Sequence, residues 1–344
     1  MISIPQKLLE KVASGADLEE GEASALLRTM AAGELDAALA GALLAALKCK
    51  GERAAEIRGF ALAMRELALK PDIPPGPRYV DIVGTGGDGS GSLNLSTGSA
   101  LLAAACGLPV VKHGNRSVTS RSGSADVLAA LGLPIPLGQD DAVRCLREVG
   151  FTFLFAPHYH PAMKHIAPIR AALGVRTVFN ILGPLANPAA PPYHVIGAPS
   201  DAIAALMAEA LSSMPIERAF VVHGAAGWDE ATPIGPFVCY DVRAGSCVRT
   251  LRDPATYGLA GCAPGALRGD DAAANATRLN RALRGEDTQA HRDALALGAG
   301  LALEVTGESP DLAAGIERAR AAIGDGAAAR LLARLGAFAA QLAR

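Results

Sequence analysis

Residues 81–97 read Asp-Ile-Val-Gly-Thr-Gly-Gly-Asp-Gly-Ser-Gly-Ser-Leu-Asn-Leu-Ser-Thr, and this stretch is the most informative in the chain. A short β-branched run predicts a strand over Tyr79–Val83, and five glycines follow between Gly84 and Gly91. Polar residues then lead into an apolar helix, which we expect to begin at about Gly98. Glycine permits tight turns and close approach to a ligand, and free N–H groups beside a helix N-terminus bind phosphate. The stretch therefore predicts a phosphate site between a strand and a helix.

Two familiar phosphate-binding motifs fit this loop poorly. A Walker motif ends in Gly-Lys-Ser/Thr, and no lysine lies between Lys70 and Lys112. Gly84, Gly86 and Gly89 match the letters of a dinucleotide fingerprint, but no acid follows at the required distance, near 105–115. The alternatives left open are a different phosphate site and a glycine turn that serves packing alone.

Composition bounds the class of protein. A chain of 344 residues is long enough for one large or two ordinary domains. Its net charge of −2 and 4% aromatic content argue against a nucleic-acid or anionic-membrane partner. The six cysteines are scattered without a C-x-x-C pair, so neither a zinc site nor a disulfide scaffold is expected. With no signal pattern and no apolar run that could span a membrane, we expect a reduced, cytoplasmic enzyme.

The chain changes pattern near residue 70. Residues 3–70 carry leucines at helical spacing, and a segment with four prolines in eight residues begins at Lys70. Beyond it, short β-branched runs alternate with alanine-rich helices, which predicts a mainly parallel central sheet. We therefore expect a small all-α domain over 1–72 and a large α/β catalytic domain over 73–344. The predicted strands are Tyr79–Val83, Leu108–Lys112, Phe151–Phe155, His194–Ile196 and Ala219–His223, with a local antiparallel excursion in 233–270.

A second polar cluster follows the predicted strand that ends at Lys112. Between Lys112 and Ser124 lie two arginines, one lysine and five hydroxyls, enough to hold several phosphate oxygens. In open α/β sheets ligands bind at the carboxyl ends of the strands. The alternative is a solvated basic loop.

Two further clusters carry candidate ligand groups. His160 and Arg170 are ten residues apart and could share one helix face, although Pro168 would kink that helix. An arginine fork suits a carboxylate, but such an arginine could equally cap a helix or pair with a surface acid. Asp229 and Glu230 follow a predicted strand and a glycine turn. Carboxylates so placed can bind Mg²⁺ together with substrate phosphates, although an isolated Asp-Glu pair is usually surface decoration.

Seven segments occur in an order that identifies a family. Together they resemble the anthranilate phosphoribosyltransferases, of the nucleoside phosphorylase/phosphoribosyltransferase fold, from about residue 3 to the C-terminus. The segments are Gly84-Thr-Gly-Gly-Asp-Gly, Asn94-Leu-Ser-Thr, Lys112-His-Gly-Asn-Arg, Gly123-Ser-Ala-Asp, His160-Pro-Ala-Met-Lys with Arg170, Arg176-Thr-Val-Phe-Asn-Ile-Leu-Gly-Pro-Leu, and Asp229-Glu230.

The resemblance implies the second step of tryptophan biosynthesis. Anthranilate and 5-phosphoribosyl-1-diphosphate (PRPP) would give N-(5-phosphoribosyl)anthranilate and pyrophosphate, with Mg²⁺, as two ions bound with PRPP. It also implies a ligand site in the cleft between the two domains and a homodimer formed through the helical domain. We expect helices from around 165–190 to join that small domain.

The resemblance also implies the ligand-binding residues. Anthranilate would contact Gly84, Asn115, His160 and Arg170, and the metal would be bound by Ser96, Asp229 and Glu230. No general base is expected, because the aromatic amine is already neutral at pH 7 and positioning supplies much of the rate. PRPP would be bound by Gly84, Gly87, Asp88, Ser92, Asn94, Leu95, Ser96, Thr97, Lys112, His113, Gly114, Asn115, Arg116, Ser117, Val118, Thr119, Ser120 and Ser124.

Two other functions are less consistent with this sequence. A nucleoside phosphorylase would use phosphate instead of PRPP, but such enzymes are longer and lack the His160-Pro-Ala-Met-Lys segment. A non-catalytic relative that binds nucleic acid would show a basic surface and eroded phosphate loops, whereas this chain is slightly acidic and retains its loops.

Overall fold

The N-terminal part of the chain is helical. The computed structural model describes residues 3–74, 78–117 and 121–343. Ser3 and Gln6 cap the first helix reciprocally, and the Asp36 carboxylate caps the third. Among the described residues this part forms α1 (Ile4–Ala13), α2 (Glu20–Ala32), α3 (Ala37–Lys50) and α4 (Ala54–Glu66).

The rest of the chain is built on one mixed sheet. In the described ranges its strand order is β3-β2-β1-β4-β5-β6-β7. The first five strands in that order are parallel, and β6 and β7 add an antiparallel edge within the region predicted to hold an antiparallel excursion. The strands are β1 (Val80–Gly84), β2 (Val110–Gly114), β3 (Phe151–Phe155), β4 (Tyr193–Gly197), β5 (Arg218–His223), β6 (Phe237–Arg243) and β7 (Ser246–Arg252). The predicted fold class, a mainly parallel α/β domain with a small helical domain, is confirmed.

Helices cover both faces of this sheet. None of those in the described residues is long and apolar enough to cross a membrane. They are α5 (Leu95–Ala105), α6 (Ser124–Ala130), α7 (Gln139–Val149), α8 (Ala156–Tyr159), α9 (Met163–Leu173), α10 (Phe179–Leu182), α11 (Asp201–Ser212), α12 (Ala272–Leu283), α13 (Gln289–Val305), α14 (Leu312–Gly324) and α15 (Ala327–Leu342).

Alternation along the strands creates two hydrophobic cores. Val195 and Phe220 face one core, which also contains α5, α13, α14 and α15. Ile196 and Val221 face the other, which contains α11 and helices α1 to α4. Ile166 of α9 belongs to this second core, and α9 packs against α2 and α3. The segment between β3 and β4 is therefore held against the helical part of the chain.

The predicted start of α5 is wrong. The helix begins at Leu95, and Gly98 lies in its first turns, where a Cβ atom would stand 2.5 Å from the Leu295 side chain of α13. A free N–H group at its N-terminus is hydrogen-bonded by a residue far away in the sequence, because the Glu230 carboxylate accepts the Ser96 N–H at 3.0 Å. Since that acid lies far along the chain, a local reading of the polar residues before Gly98 could not find the cap.

The predicted shared helix face of His160 and Arg170 is also wrong. His160 lies between α8 and α9 with φ −118° and ψ 68°, outside both helices. The residue before a proline is pushed out of the helical region, and Pro161 follows directly. Arg170 alone lies on α9, which continues through Pro168.

Candidate active site

The glycine loop between β1 and α5 presents unused backbone donors. Gly86, Gly87, Gly89 and Gly91 have φ values between +59° and +73°, a region that other residues rarely adopt. Within the described residues, the N–H groups of Gly87, Asp88, Gly89 and Gly91 have no hydrogen-bond acceptor. Consecutive free donors beside the start of a helix form a cradle for an anion.

Two carboxylates lie directly against this loop. Asp229 Oδ2 accepts the Gly86 N–H at 2.5 Å, and the Asp229 N–H donates to the Asp88 carboxylate at 3.2 Å. Glu230 accepts the Ser92 hydroxyl at 3.2 Å. Burial, followed by repulsion from Asp88, raises the pKa of Asp229, and burial, followed by repulsion from Asp229, raises that of Glu230. The arrangement is short of positive charge.

Glycines at the strand ends allow Asp229 and Glu230 to lie close to the backbone of the sheet. A Cβ atom on Gly84 would lie 2.5 Å from Asp229 Oδ2. One on Gly197 would collide with the backbone of Asp229, and one on Gly224 with that of Glu230. The ends of β1, β4 and β5 therefore need glycine to leave room for this pair.

Lys112 brings a buried cation to the same place. Its Nζ donates to the Ser96 hydroxyl at 3.3 Å and to the carbonyl of Ile82. Burial lowers the pKa of Lys112 to about 8, while the charges of Asp81 and Glu230 act in the opposite direction. At pH 7 the side chain is an ammonium group near the carboxylates.

The donor set fits Mg²⁺ that is shared with a substrate. No group of three acidic, imidazole or thiol side chains in the described ranges could hold a metal alone. Mg²⁺, however, is usually bound by one or two carboxylates, water and substrate phosphates. Asp229, Glu230 and the Ser96 hydroxyl offer such oxygens next to the free N–H groups of the loop.

A second part of the site contains neutral imidazoles. The rings of His113 and His160 are 5.1 Å apart and edge to face, and His113 Nδ1 lies 3.1 Å from the Gly183 carbonyl. Burial lowers the pKa of His113 to about 3 and that of His160 to about 4. The Nε2 atom of each ring has no partner in the described structure. At pH 7 both rings are neutral, and both are almost fully buried.

Arg170 supplies an uncommitted cation on α9. Its guanidinium carbon lies 5.3 Å from the centre of the Phe179 ring. It forms no hydrogen bond or ion pair with any side chain of the described residues, and burial lowers its pKa. A half-buried, unpaired guanidinium is suited to a ligand carboxylate.

The segment after β2 is organised by Asp126. This carboxylate accepts the N–H groups of Ser117 and Gly123 at 3.1 and 3.0 Å, and it pairs with Arg116 at 2.8 Å. The Ser124 hydroxyl donates to the carbonyl of Asn115 at 3.2 Å. Arg116 is thus committed to an acid here. Three residues predicted to bind PRPP, Val118, Thr119 and Ser120, lie outside the described residues.

Other predicted residues take part mainly in the fold. The Asn94 amide donates to the Ser122 carbonyl at 3.0 Å and accepts from Asn275 at 2.9 Å. The side chain of Leu95 is in the core, and the buried Thr97 hydroxyl has no partner among the described residues. Gly114 leaves room for the Phe153 ring, whose Cε2 atom would lie 3.0 Å from an added Cβ.

The sequence reading missed a buried network behind Lys112. The Asp81 carboxylate is fully buried on β1, and it accepts the His113 N–H at 3.3 Å and the Asn187 amide at 2.8 Å. Burial raises the pKa of Asp81 to about 6 against the opposing charge of Lys112. Arg65 of α4 donates to the Leu185 carbonyl at 2.7 Å nearby. An acid inside the apolar run Val80–Val83 was the available signal, because buried acids are normally paired.

Known proteins resemble this chain over nearly its whole length. Residues 6–68 match the helical bundle domain of the glycosyl transferase family, and residues 76–329 match its a/b domain. Anthranilate phosphoribosyltransferase of Rubrobacter xylanophilus is 44% identical over 329 residues, which are 96% of each chain. That of Methylobacterium radiotolerans is 46% identical over 327 residues, 95% of this chain and 94% of the relative.

Solved structures agree with these relatives. The crystal structure of anthranilate phosphoribosyltransferase from Thermus thermophilus has a TM-score of 0.90 at 44% identity and covers 96% of this chain and 99% of its own. The enzyme from Saccharomyces cerevisiae in complex with PRPP and Mg has a TM-score of 0.83 at 26% identity, covering 99% and 94%. The chain belongs to this glycosyl transferase family and, within it, to the anthranilate phosphoribosyltransferases.

Proposed function

We propose that this chain transfers the 5-phosphoribosyl group of PRPP to the amine of anthranilate in a Mg²⁺-dependent reaction. The products are N-(5-phosphoribosyl)anthranilate and pyrophosphate, as in the second step of tryptophan biosynthesis. One observation carries the proposal beyond family membership: a loop with four unused N–H groups lies against the Asp229–Glu230 pair. Such a site suits a diphosphate that arrives with a divalent cation.

The donor half of the site binds PRPP. Free N–H groups of the glycine loop, together with the hydroxyls of Ser92 and Ser96, contact its phosphates. The Lys112 ammonium adds positive charge where the C1–O bond breaks and the leaving pyrophosphate gains negative charge. The remaining contacts are proposed as the family resemblance implies them, from Gly84 to Thr97, from Lys112 to Ser120, and at Ser124.

The metal is held by Ser96, Asp229 and Glu230. When bound, Mg²⁺ neutralises the phosphates of PRPP and stabilises the departing pyrophosphate. We propose two ions, because three carboxylates, Asp88, Asp229 and Glu230, lie together at the loop and the charge of Lys112 alone does not balance them. Their mutual repulsion is relieved when positive charge arrives.

The acceptor half binds anthranilate through Gly84, Asn115, His160 and Arg170. The Arg170 guanidinium pairs with the carboxylate, and the neutral imidazole of His160 lines the pocket without adding charge. The anthranilate nitrogen forms the new bond to C1 as the bond from C1 to the pyrophosphate oxygen breaks, and the nitrogen then loses one of its two protons to solvent. No residue is needed to remove that proton before attack, so we assign no general base and attribute much of the rate to positioning.

We also propose that the chain forms a homodimer through its helical domain, residues 1–72 with helices from 165–190. A groove of about 470 Å³ lies between α3 and α9 and is lined largely by small apolar residues, among them Ala38, Gly41 and Ala42. Small residues let helices approach closely, which suits a second copy of this surface. Light scattering should show a dimer, and Ala42→Glu should shift it to a monomer; a wild-type monomer would contradict the proposal.

The activity is tested by following anthranilate fluorescence. Purified protein with PRPP and Mg²⁺ should consume anthranilate, and omission of PRPP or addition of a chelator should stop the loss. Replacing PRPP with ribose 1-phosphate separates this function from the phosphorylase alternative. No fluorescence loss at high enzyme concentration would overturn the proposal.

A further inference from the structure

Arg176 makes an unusual contact with the glycine loop. It lies between α9 and α10 and is exposed, yet its guanidinium is turned onto the loop backbone. Nη1 donates to the Gly87 carbonyl at 2.8 Å, and Nη2 donates to the Gly86 carbonyl at 3.2 Å. No carboxylate among the described residues pairs with it. The guanidinium of Arg176 thus binds the backbone of the loop and not an acidic side chain.

Peptide geometry gives this contact a consequence. In a planar trans peptide, the carbonyl of one residue and the N–H of the next point in opposite directions. Holding the carbonyls of Gly86 and Gly87 on the side of Arg176 therefore turns the N–H groups of Gly87 and Asp88 to the other side. These are two of the donors that have no acceptor in the described structure.

The loop is shaped to receive the guanidinium. Gly87 has φ +73°, and a Cβ atom added there would lie 2.7 Å from Arg176 Nη1. A side chain at 87 would thus strain the backbone and displace the fork. A planar group with parallel N–H donors can hold two neighbouring carbonyls at once, whereas an ammonium is a point charge without that fork.

We propose that Arg176 is a positioning residue that fixes the peptide planes of the glycine loop so that the Gly87 and Asp88 N–H groups face the phosphates of PRPP. The inference rests on the proposed function and adds a residue to it. Arg176 acts through the loop and does not touch the reacting atoms. Arg176 lies in the same segment as Arg170 and Phe179. The segment that carries the proposed anthranilate contact therefore also fixes the conformation of the glycine loop.

The test compares Arg176→Lys with Arg176→Ala. Both should raise the KM for PRPP and the Kd for Mg²⁺–pyrophosphate, measured by calorimetry, by about tenfold. The KM for anthranilate should change by less than about threefold, because Arg170 is untouched. Arg147→Ala, at an exposed arginine of α7, is the matched control and should behave as wild type.

Three outcomes would overturn the inference. A lysine variant equal to wild type would mean that charge alone suffices. An alanine variant with unchanged pyrophosphate affinity would remove the positioning role, and so would an equal rise in both KM values. Thermal melting within the range of the Arg147→Ala control separates these effects from misfolding. If wild-type protein consumed no anthranilate, the proposed function would fail, while the pyrophosphate titration would still decide the role of Arg176.

Discussion

The two halves of the candidate site, around the glycine loop and around α9, differ in the kind of charge they contain. Around the glycine loop, acids gather, and burial and mutual repulsion raise the pKa values of Asp229 and Glu230. Between β2 and α9, burial instead lowers the pKa values of His113 and His160, which keeps both rings neutral. Under the proposed function, the first half binds a charged phosphate with its metal, and the second binds anthranilate, whose amine is neutral and whose carboxylate pairs with Arg170. The two halves therefore differ in the groups that meet the ligand, carboxylates with a lysine in one and neutral imidazoles with an arginine in the other.

The halves also differ in how they are built. The donor half uses backbone groups at the ends of adjacent parallel strands, where ligands collect in open α/β sheets. The acceptor half uses side chains of a segment that packs against α2 and α3. Arg176 and the buried Asp81–Asn187 contact join them.

The largest effect is expected from removing the acidic character of the donor half. Asp229→Asn combined with Glu230→Gln keeps the shape but removes the charge that a cation needs, so turnover should fall by about 10³-fold or more. Anthranilate fluorescence assays over a Mg²⁺ titration measure this. Asp140→Asn with Asp141→Asn, an adjacent acidic pair at the start of α7, is the control. Full activity in the first double variant would contradict the metal assignment.

A steric change should damage the donor half without changing its charge. Gly84→Ala places a methyl group 2.5 Å from Asp229 Oδ2, so the carboxylate must move and kcat/KM for PRPP should fall by about 10²-fold. Gly138→Ala, at a position with open space around it, should leave kcat/KM unchanged. Equal activity of the two variants would show that Asp229 tolerates displacement.

In the acceptor half, Arg170→Ala should act on one substrate. Loss of the guanidinium that we propose to pair with the anthranilate carboxylate should raise the KM for anthranilate by about 30-fold and leave the KM for PRPP almost unchanged. Steady-state kinetics with each substrate varied in turn decide this. An unchanged KM for anthranilate would remove Arg170 from the acceptor site.

The smallest effect concerns the neutrality of the acceptor half. The native pKa of His160, about 4, lies below the ordinary value of 6.5, so the unfolded chain binds more protons between these values. The contribution of His160 to the free energy of unfolding is fully present above pH 6.5. It decreases as pH falls, by about 1 to 2 kcal/mol at pH 5. Between pH 7.5 and pH 5, the free energy of unfolding of the His160→Gln variant should therefore fall by about 1 to 2 kcal/mol less than that of the wild type.

Urea denaturation at the two pH values measures this share. His158→Gln, at the half-buried neighbour, is the matched control and should retain the wild-type pH dependence. The same pH dependence in the wild type and the His160→Gln variant would show that the buried ring does not resist protonation.

Sequence predicts best what local residues determine. The predicted strands appear within two residues of their expected ends, because β-branched runs and glycine turns act locally. Sequence alone does not locate the start of α5, because its cap, Glu230, comes from a distant segment, and it does not reveal the partners of Asp81 inside an apolar strand. The environments of His160 and Arg170 arise from packing of α9 on the helical domain, which no spacing of residues encodes.

If both halves of the site serve one transfer reaction, consumption of one substrate and release of pyrophosphate must be coupled. The most direct measurement follows anthranilate consumption and pyrophosphate release together in one reaction of wild-type protein with PRPP and Mg²⁺. We predict that the amount of anthranilate consumed equals the amount of pyrophosphate released. When either substrate or the metal is left out, no anthranilate should be consumed and no pyrophosphate released. In the complete reaction, pyrophosphate release without anthranilate consumption would contradict this coupling. The absence of both would contradict the transfer reaction itself.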